Sequence, residues 1–477
     1  MQQPILINDF FIVTLRLNPL KNFKLMKKFF TLLIILCNTV SLMAQTDMEY
    51  REVTLSHAGS LWSEVKNDLH EIDSLVVRGP VNDADFTTMW EGTFYGRLSA
   101  INLRDARIVN DTVPQRAFWR PEQYDAEHEV IKGIKLRSII LPEGVTCIGD
   151  GAFAYIPMLR SIELPSTVRS IGAKAFYKCL WFETDCWKMP AALEEIGDCA
   201  FEECLRVKGM VLPDGIRKIG KFAFHSTRLK SINLPESLEE IGSFAFLGSS
   251  IEEVTVPAGC VLTGEGHFCG CFFLTKAVLP EGIENIPDNL FQDCGIQEFS
   301  IPSTVRSIGN GAFENSYIAI SSLPEGLENI GKEAFMWCRF AETLVIPSSV
   351  KELGDDCFAA SGRPSAIYCM SAVPPVCGPR GSAKSPFGPV SNSDTHALSD
   401  VPLHVPVGCS EAYREADGWY TFRNIIEDPD IPVSGIIGVT AGSAADSDAA
   451  VYDLTGRRVD TPQPGRIYIV KGRKVLF

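Results

Sequence analysis

One phrase, Pro-x-x-Val-x-x-Ile-Gly-x-x-Ala-Phe, recurs ten times between Pro142 and Phe358. Its prolines are Pro142, Pro165, Pro190, Pro213, Pro235, Pro257, Pro280, Pro302, Pro324 and Pro347, spaced 22–25 residues apart. A Phe follows each Pro by eleven positions: Phe153, Phe176, Phe201, Phe224, Phe246, Phe268, Phe291, Phe313, Phe335 and Phe358. Such an offset, kept through ten copies, restricts the chain to a solenoid. Each unit is too small to bury its own apolar groups and must stack on its neighbours.

The chemistry of one copy predicts its path. Leu159 to Leu164 alternates, so Ile162 and Leu164 face inward and Ser161 and Glu163 outward on a strand. Pro165 has no N–H and ends that strand. Val168-Arg169-Ser170-Ile171 is a second short extended run. Gly172 is expected to turn the corner with a positive φ, and Ala175-Phe176 to sit in a short helical turn with the ring inward. Strands of stacked coils pair at about 4.8 Å, so ten copies give a rod of roughly 50 Å.

Two strings, Leu164 to Phe176 (LPSTVRSIGAKAF) and Ile301 to Phe313 (IPSTVRSIGNGAF), resemble the BspA-like leucine-rich repeat family of bacterial surface proteins. The resemblance covers about 300 residues and implies the fold. The expected class is a β-rich α/β solenoid: a leucine-rich repeat array of about ten 22–25-residue coils, with N- and C-terminal caps and a small β tail. For function it implies adhesion to host or microbial surfaces, a weaker inference because repeat scaffolds host many roles.

The flanks divide the rest. Met26-Lys27-Lys28, the apolar run Phe29 to Val40 and the small Ala44 have the three-part layout of a signal peptide over 26–44. That run is too short to span a bilayer, which needs about 20 residues. Residues 1–25 fit no part of it and read as an upstream extension of the gene, with Met26 the true start. Residues 45–130 are expected to be an N-terminal cap with degenerate coils. His57 to Leu69 and Asp83 to Trp90 show helical spacing, the latter capped by Asn82 or Asp83. Residues 105–129 read as a charged insertion, within which Val113 to Phe118 resembles half a repeat. The solenoid and its C-terminal closure span 131–427, with Tyr413, Trp419 and Phe422 supplying rings to the open end. Residues 428–449 form a linker and 450–477 a short β module of two hairpins. One sets Ala450 to Leu454 against Arg458-Val459; the other sets Ile467 to Val470 against Lys474 to Leu476. The module resembles C-terminal modules of exported Bacteroidetes proteins.

The copies differ instructively. Copy three carries two extra residues around Trp181 to Trp187. Copy six has Cys260, Thr263 and His267 where Val, Ile and Ala are usual, and copy seven has Pro287 in place of the corner Gly. Cys179, Cys204, Cys271, Cys294 and Cys338 all fall three residues after the repeated Phe, where other copies carry Thr227, Ser249, Ser316 or Ser361. That exchange marks a small buried side chain with a weak donor rather than a redox centre. Cys269-Gly270-Cys271 beside His267 does not have a standard zinc spacing.

Charge and motifs bound the function. A formal net charge of −15 disfavours nucleic acid and anionic lipid as partners. The seven His show no His-Glu-x-x-His pair, and there is no nucleophile elbow, phosphate loop or dinucleotide fingerprint. No cofactor or metal is expected, and no catalytic residue is nominated. The expected activity is binding of another protein, or a surface glycoprotein, by a secreted or surface-held monomer with no membrane span in its mature chain. The candidate contact residues lie in two outward columns, two and four residues before each Pro: Glu163, Lys188, Asn233, Glu253, Thr255, Lys276, Glu298 and Ser300. Two other readings stay open. One is an enzyme or glycan-handling protein with its site in the cap or the 105–129 insertion; the other is a passive spacer.

Overall fold

The computed structural model describes residues 49–120, 134–183, 187–297, 299–377, 385–388 and 398–431, with Val459 and four short strands of the tail. The signal-peptide and upstream segments, the second half of the 105–129 insertion, Glu298 and most of the linker lie outside the described residues.

The chain winds as a β-solenoid of about 15 turns, so the ten matching copies are its regular middle. Two parallel ladders run along it. The face ladder comprises the strands before each Pro, in four runs. Tyr50–Thr54, Ser74–Val81, Ala100–Asn102, Ser138–Ile140 and Ser161–Glu163 form the first, and Trp187–Lys188, Gly209–Val211 and Ser231–Ile232 the second. Glu253–Thr255 pairs with Lys276–Val278, and Ala319–Ser322, Arg339–Ile346, Ala366–Cys369, Leu403–Pro406 and Ile425–Asp428 complete the set. The corner ladder comprises the two-residue strands after each Pro: seven from Thr112–Val113 to Val261–Leu262, then five from Asn285–Ile286 to Val376–Cys377. In register, Ile148, Ile171, Ile196, Ile219 and Ile241 lie one above another.

All ten repeated Phe side chains are fully buried. Their rings stack at centroid spacings of 5.2 to 5.8 Å. The column continues past the copies, to Phe118 at 5.6 Å from Phe153 and Phe387 at 5.8 Å from Phe358. Truncating one such ring to Ala costs about 3–5 kcal/mol, transfer and cavity together.

The α component is small. Among the described residues the α-helices are Leu61–Val65, shorter than the spacing of 57–69 predicts, Asp83–Phe94 and Ser410–Glu415, all toward the ends of the rod. The turn carrying Ala175-Phe176 is not helical, contrary to the sequence expectation. In each of the ten copies the residues two before and two after the Phe have positive φ, as at Lys174 (55°) and Lys178 (58°). The alternation splits the backbone donors. The N–H groups of Lys174, Phe176 and Lys178 reach the carbonyls of Asp198, Ala200 and Glu202 on the next coil at 2.7–2.9 Å. Those of Ala175, Tyr177 and Cys179 close back onto Gly172, Lys174 and Phe176 at 3.1–3.2 Å. Every N–H in this segment is therefore used, half within a coil and half between coils.

The corner glycines also act differently from expectation. Gly172, Gly197, Gly220 and Gly331 do not lie at positive φ; a Cβ on each would fall 2.6–2.8 Å from a backbone nitrogen of the preceding coil. Glycine is required there for close approach of two coils, not for a left-handed turn.

The ends are closed by side chains. At the start, Asn82 caps Asp83–Phe94 through its side chain on Ala84 N. The buried Asp85 carboxylate accepts from the N–H groups of Gly59, Leu61 and Asn82 at 2.7–2.9 Å. At the far end Trp419 and Phe422 lie 5.1 and 4.9 Å from Phe387. Tyr413 Oη donates to Ser371 O at 2.7 Å and Trp419 Nε1 to Pro375 O at 2.9 Å. In the tail, Ile467–Val470 pairs antiparallel with Arg473–Leu476 as the hairpin reading predicts. Val451–Tyr452 pairs antiparallel with Ile467–Val470, while Arg458 of its expected partner pair lies outside the described residues.

Candidate functional site

The outward residues of the face ladder form the candidate surface. They point out because strand side chains alternate and the intervening residues, such as Ile162, Met210 and Val254, are buried. Register places Val211 beside Lys188, and Thr255 beside Val278 with Glu253 beside Lys276. Lys188, Glu253, Thr255, Lys276 and Ser300 are exposed. Val211 and Val278 in the same strip are about 40% exposed, so the strip presents β-branched methyl groups between charges.

Two candidates are engaged. Glu163 receives both hydrogen bonds of Arg104 Nη2, at 2.9 and 2.7 Å. Both partners are exposed, so the pair contributes at most about 1 kcal/mol. Asn233 acts as a backbone surrogate: its Oδ1 accepts from Leu212 N at 2.8 Å and its Nδ2 donates to Leu212 O at 3.0 Å. It splices the second run of the face ladder where strand pairing ends. The described candidates thus lie on the outward side of the face ladder, in separate runs, and do not converge on a point.

The same column continues beyond the nominated residues. Val345, Tyr368 and His404 follow in register. Tyr368 stacks on His404 at 4.5 Å, and His404 Nδ1 sits 2.9 Å from Asp428 Oδ2. Sequence reasoning did not nominate this pair. The signal was the alternation in Pro402 to Pro406, which turns His404 outward between buried Leu403 and Val405. Phe272 and Phe273, both more than 60% exposed, stand at another edge of copy six.

A shallow groove of about 320 Å³ lies on the corner side, lined by Lys218, Lys221, Glu240, Ser243, Thr263 and Gly264 among others. Lys218 pairs with Glu240 across it at 3.6 Å. Its polar lining is unlike the enclosed apolar cavities that hold small ligands.

The cysteines occupy the expected column. Cys179, Cys204, Cys271, Cys294 and Cys338 are buried, and each Sγ donates to the carbonyl of the Phe one coil back at 2.9–3.2 Å. Ser361 Oγ makes the same bond to Phe335 O at 2.7 Å. Burial pushes the thiols of Cys179, Cys271 and Cys338 up to about 12. They are weak donors and poor nucleophiles. All the described cysteines are free thiols. Among the described residues no three His, Cys, Asp or Glu side chains are grouped to hold a metal ion, and no helix is long and apolar enough to cross a membrane.

The comparisons with known proteins agree in kind. The sequence matches the BspA type leucine-rich repeat region, in six copies, over residues 127–185, 194–319 and 307–373. No curated protein matches the chain. Several solved structures are similar to it. A leucine-rich repeat protein from Bacteroides ovatus is 19% identical over 64% of this chain and 88% of that one, with a TM-score of 0.42. A leucine-rich cell surface protein from Faecalibacterium prausnitzii is 22% identical over 57% and 83%, at 0.33. The pneumococcal vaccine antigen PcpA is 16% identical over 76% and 80%, at 0.36. The matched repeats span half of the sequence and coincide with the stacked coils and their Phe column, and on that ground the chain belongs to the BspA type leucine-rich repeat family.

Proposed function

We propose that this chain is an exported, secreted or surface-held protein that binds another protein, or a surface glycoprotein, through its sheet face, and that it acts as a monomer. The observation that carries the reading is the exposed strip Lys188, Val211, Thr255, Val278 and Ser300, flanked by Glu253 and Lys276. Such a strip offers methyl groups for burial and charges of both signs for register, the combination that protein interfaces use. The family supports it, as does the three-part layout of 26–44 for export. The acidic balance of the chain favours a protein over a nucleic acid.

The test is capture from extracts of surface proteins by the immobilised protein. The variant Lys188→Glu, Glu253→Lys, Lys276→Glu is expected to lose captured material at least tenfold. A control reversing Glu195, Lys218 and Glu352 on the corner side is expected to keep it. Equal capture by both variants would reject the face as the binding surface.

A further inference from the structure

Copies six and seven interrupt the corner ladder, which is otherwise continuous along the described coils. Seven corner strands end at Val261–Leu262 and five begin at Asn285–Ile286, with no pairing between the two sets. The cause is local. In the regular copies the residue after the corner strand donates to the coil before it, as Gly242 N does to Ile219 O at 2.9 Å and Gly309 N to Ile286 O at 2.9 Å. Copy seven has Pro287 there, which has no N–H. Copy six is shifted by one residue: Leu262 pairs with Ile241, and Thr263 rather than Gly264 takes the donor place on Ile241 O at 2.9 Å.

The packing registers the same fault. Neighbouring Phe rings within 10° of parallel are the rule from Phe153 to Phe268, but Phe268–Phe291 is at 19° and Phe291–Phe313 at 34°; the rule returns at Phe313–Phe335 with 3°. Cys260, Leu262 and Ile283 are only partly buried, whereas Val168, Ile216, Leu238 and Ile241 in the same columns are fully buried.

His267 lies in this fault, at a position that is Ala in most copies. Its ring is wholly buried. Nε2 faces Thr263 O at 3.2 Å, and Nδ1 has no hydrogen-bond partner among the described residues. The charged groups around it are engaged elsewhere. On the coil before, Glu240 pairs with Lys218 and accepts from Thr263 Oγ1. On its own coil Glu265 accepts from Asn289 Nδ2, and the Cys269 thiol donates to Gln292. On the coil after, Asp288 accepts from Asn310 N and Nδ2. The partly buried Cys260 thiol, pushed up by desolvation to about 11, stays neutral. Among the described residues no carboxylate pairs with the His267 ring to balance an imidazolium.

We propose that the junction of copies six and seven is an acid-sensitive joint: protonation of His267 opens the corner side there and divides the rod into two units that then unfold separately. The face pair Glu253–Lys276 and the turn bonds Phe268 N to Leu290 O and Gly270 N to Gln292 O form the strap on which it opens. Desolvation pulls His267 down to about 4 from its usual 6.5. The sign follows: the open form takes the proton first, so closure is at full strength above about pH 6.5 and weakens as pH falls toward 4.

Hydrogen exchange of the whole chain, corrected for intrinsic rates, tests this. Between pH 7 and 4.5, amides of 261–291 should lose protection about a hundredfold more than those of copies nine and ten. His267→Gln, which keeps a donor for Thr263 O and cannot be protonated, should abolish the difference. Pro287→Gly, which restores the missing N–H, should reduce it and merge the thermal transitions at pH 4.5. Uniform loss of protection along the rod, or an unchanged local response in His267→Gln, would overturn the proposal.

Discussion

Ala360 lies at φ 51° with only a methyl group to justify it. It is one of twenty positions, two per copy, that bend left-handed, and Gly occupies only a few of them: Gly151, Gly248, Gly266, Gly270 and Gly311. An L-residue held there costs about 1–2 kcal/mol, which the inter-coil hydrogen bonds must offset. Ala360→Gly is therefore expected to stabilise the protein by about 0.5–1 kcal/mol, less than the strain relieved because Gly loses more chain entropy. Gly331→Ala should do the reverse, costing about 3 kcal/mol, because its Cβ would lie 2.6 Å from Asn310 N. Urea denaturation midpoints measure both. The sequence disguised these roles. Its recurrent corner Gly suggests a positive φ, yet outside the shifted copy six, where Gly264 lies at φ 86°, that column serves close contact. The true left-handed columns mix Gly, Asn and Asp, as at Asn289, Asp293, Asn315 and Asp356, with Lys, Glu, Trp and Phe, and the latter identities carry no turn signal.

A single coil is held by its columns, and the thiol column shows how. The five thiols of the column and the Ser361 hydroxyl, three residues past the Phe, bond the Phe carbonyl of the coil before, satisfying an acceptor that burial would otherwise leave unpaired, while Thr227 Oγ1 donates to Phe224 O of its own coil. In native protein at pH 8 these thiols should resist alkylation, since their shifts to about 12 leave almost no thiolate. All should react once the chain is unfolded without reductant. A denatured protein with no reactive thiol would instead mean disulfides. This column was legible, because Cys exchanging with Ser and Thr names both the size and the donor. The shift in copy six was not. Read by offset from Pro257, Thr263 stands in the Ile column, but pairing assigns that place to Leu262. Counting from a proline cannot detect a residue lost before the corner and regained after it.

The rod as a whole behaves as a one-dimensional stack, each coil touching only its neighbours. Removing residues 302–323, one full period, should leave a folded protein with a proportionately smaller urea m-value and an unchanged circular dichroism signal per residue. Removing 398–431 should expose Phe387 and cause aggregation. The stack was legible from one offset repeated ten times. The extra turns at either end were less so: Phe118 and Phe387 keep the ring column going while their surrounding motifs have dissolved. Contacts such as Arg104 with Glu163 lay beyond any periodic reading, since one partner belongs to an irregular coil. The division of backbone donors between a coil and its neighbour has a mechanical corollary. Tension along the axis loads the between-coil bonds of one layer together, while the bonds inside each turn carry little of it. Under load the molecule should lengthen in discrete steps of one winding, about 22 residues or roughly 75 Å of contour each. A pull on the two ends of the rod would then meet a series of small yields instead of a single rupture.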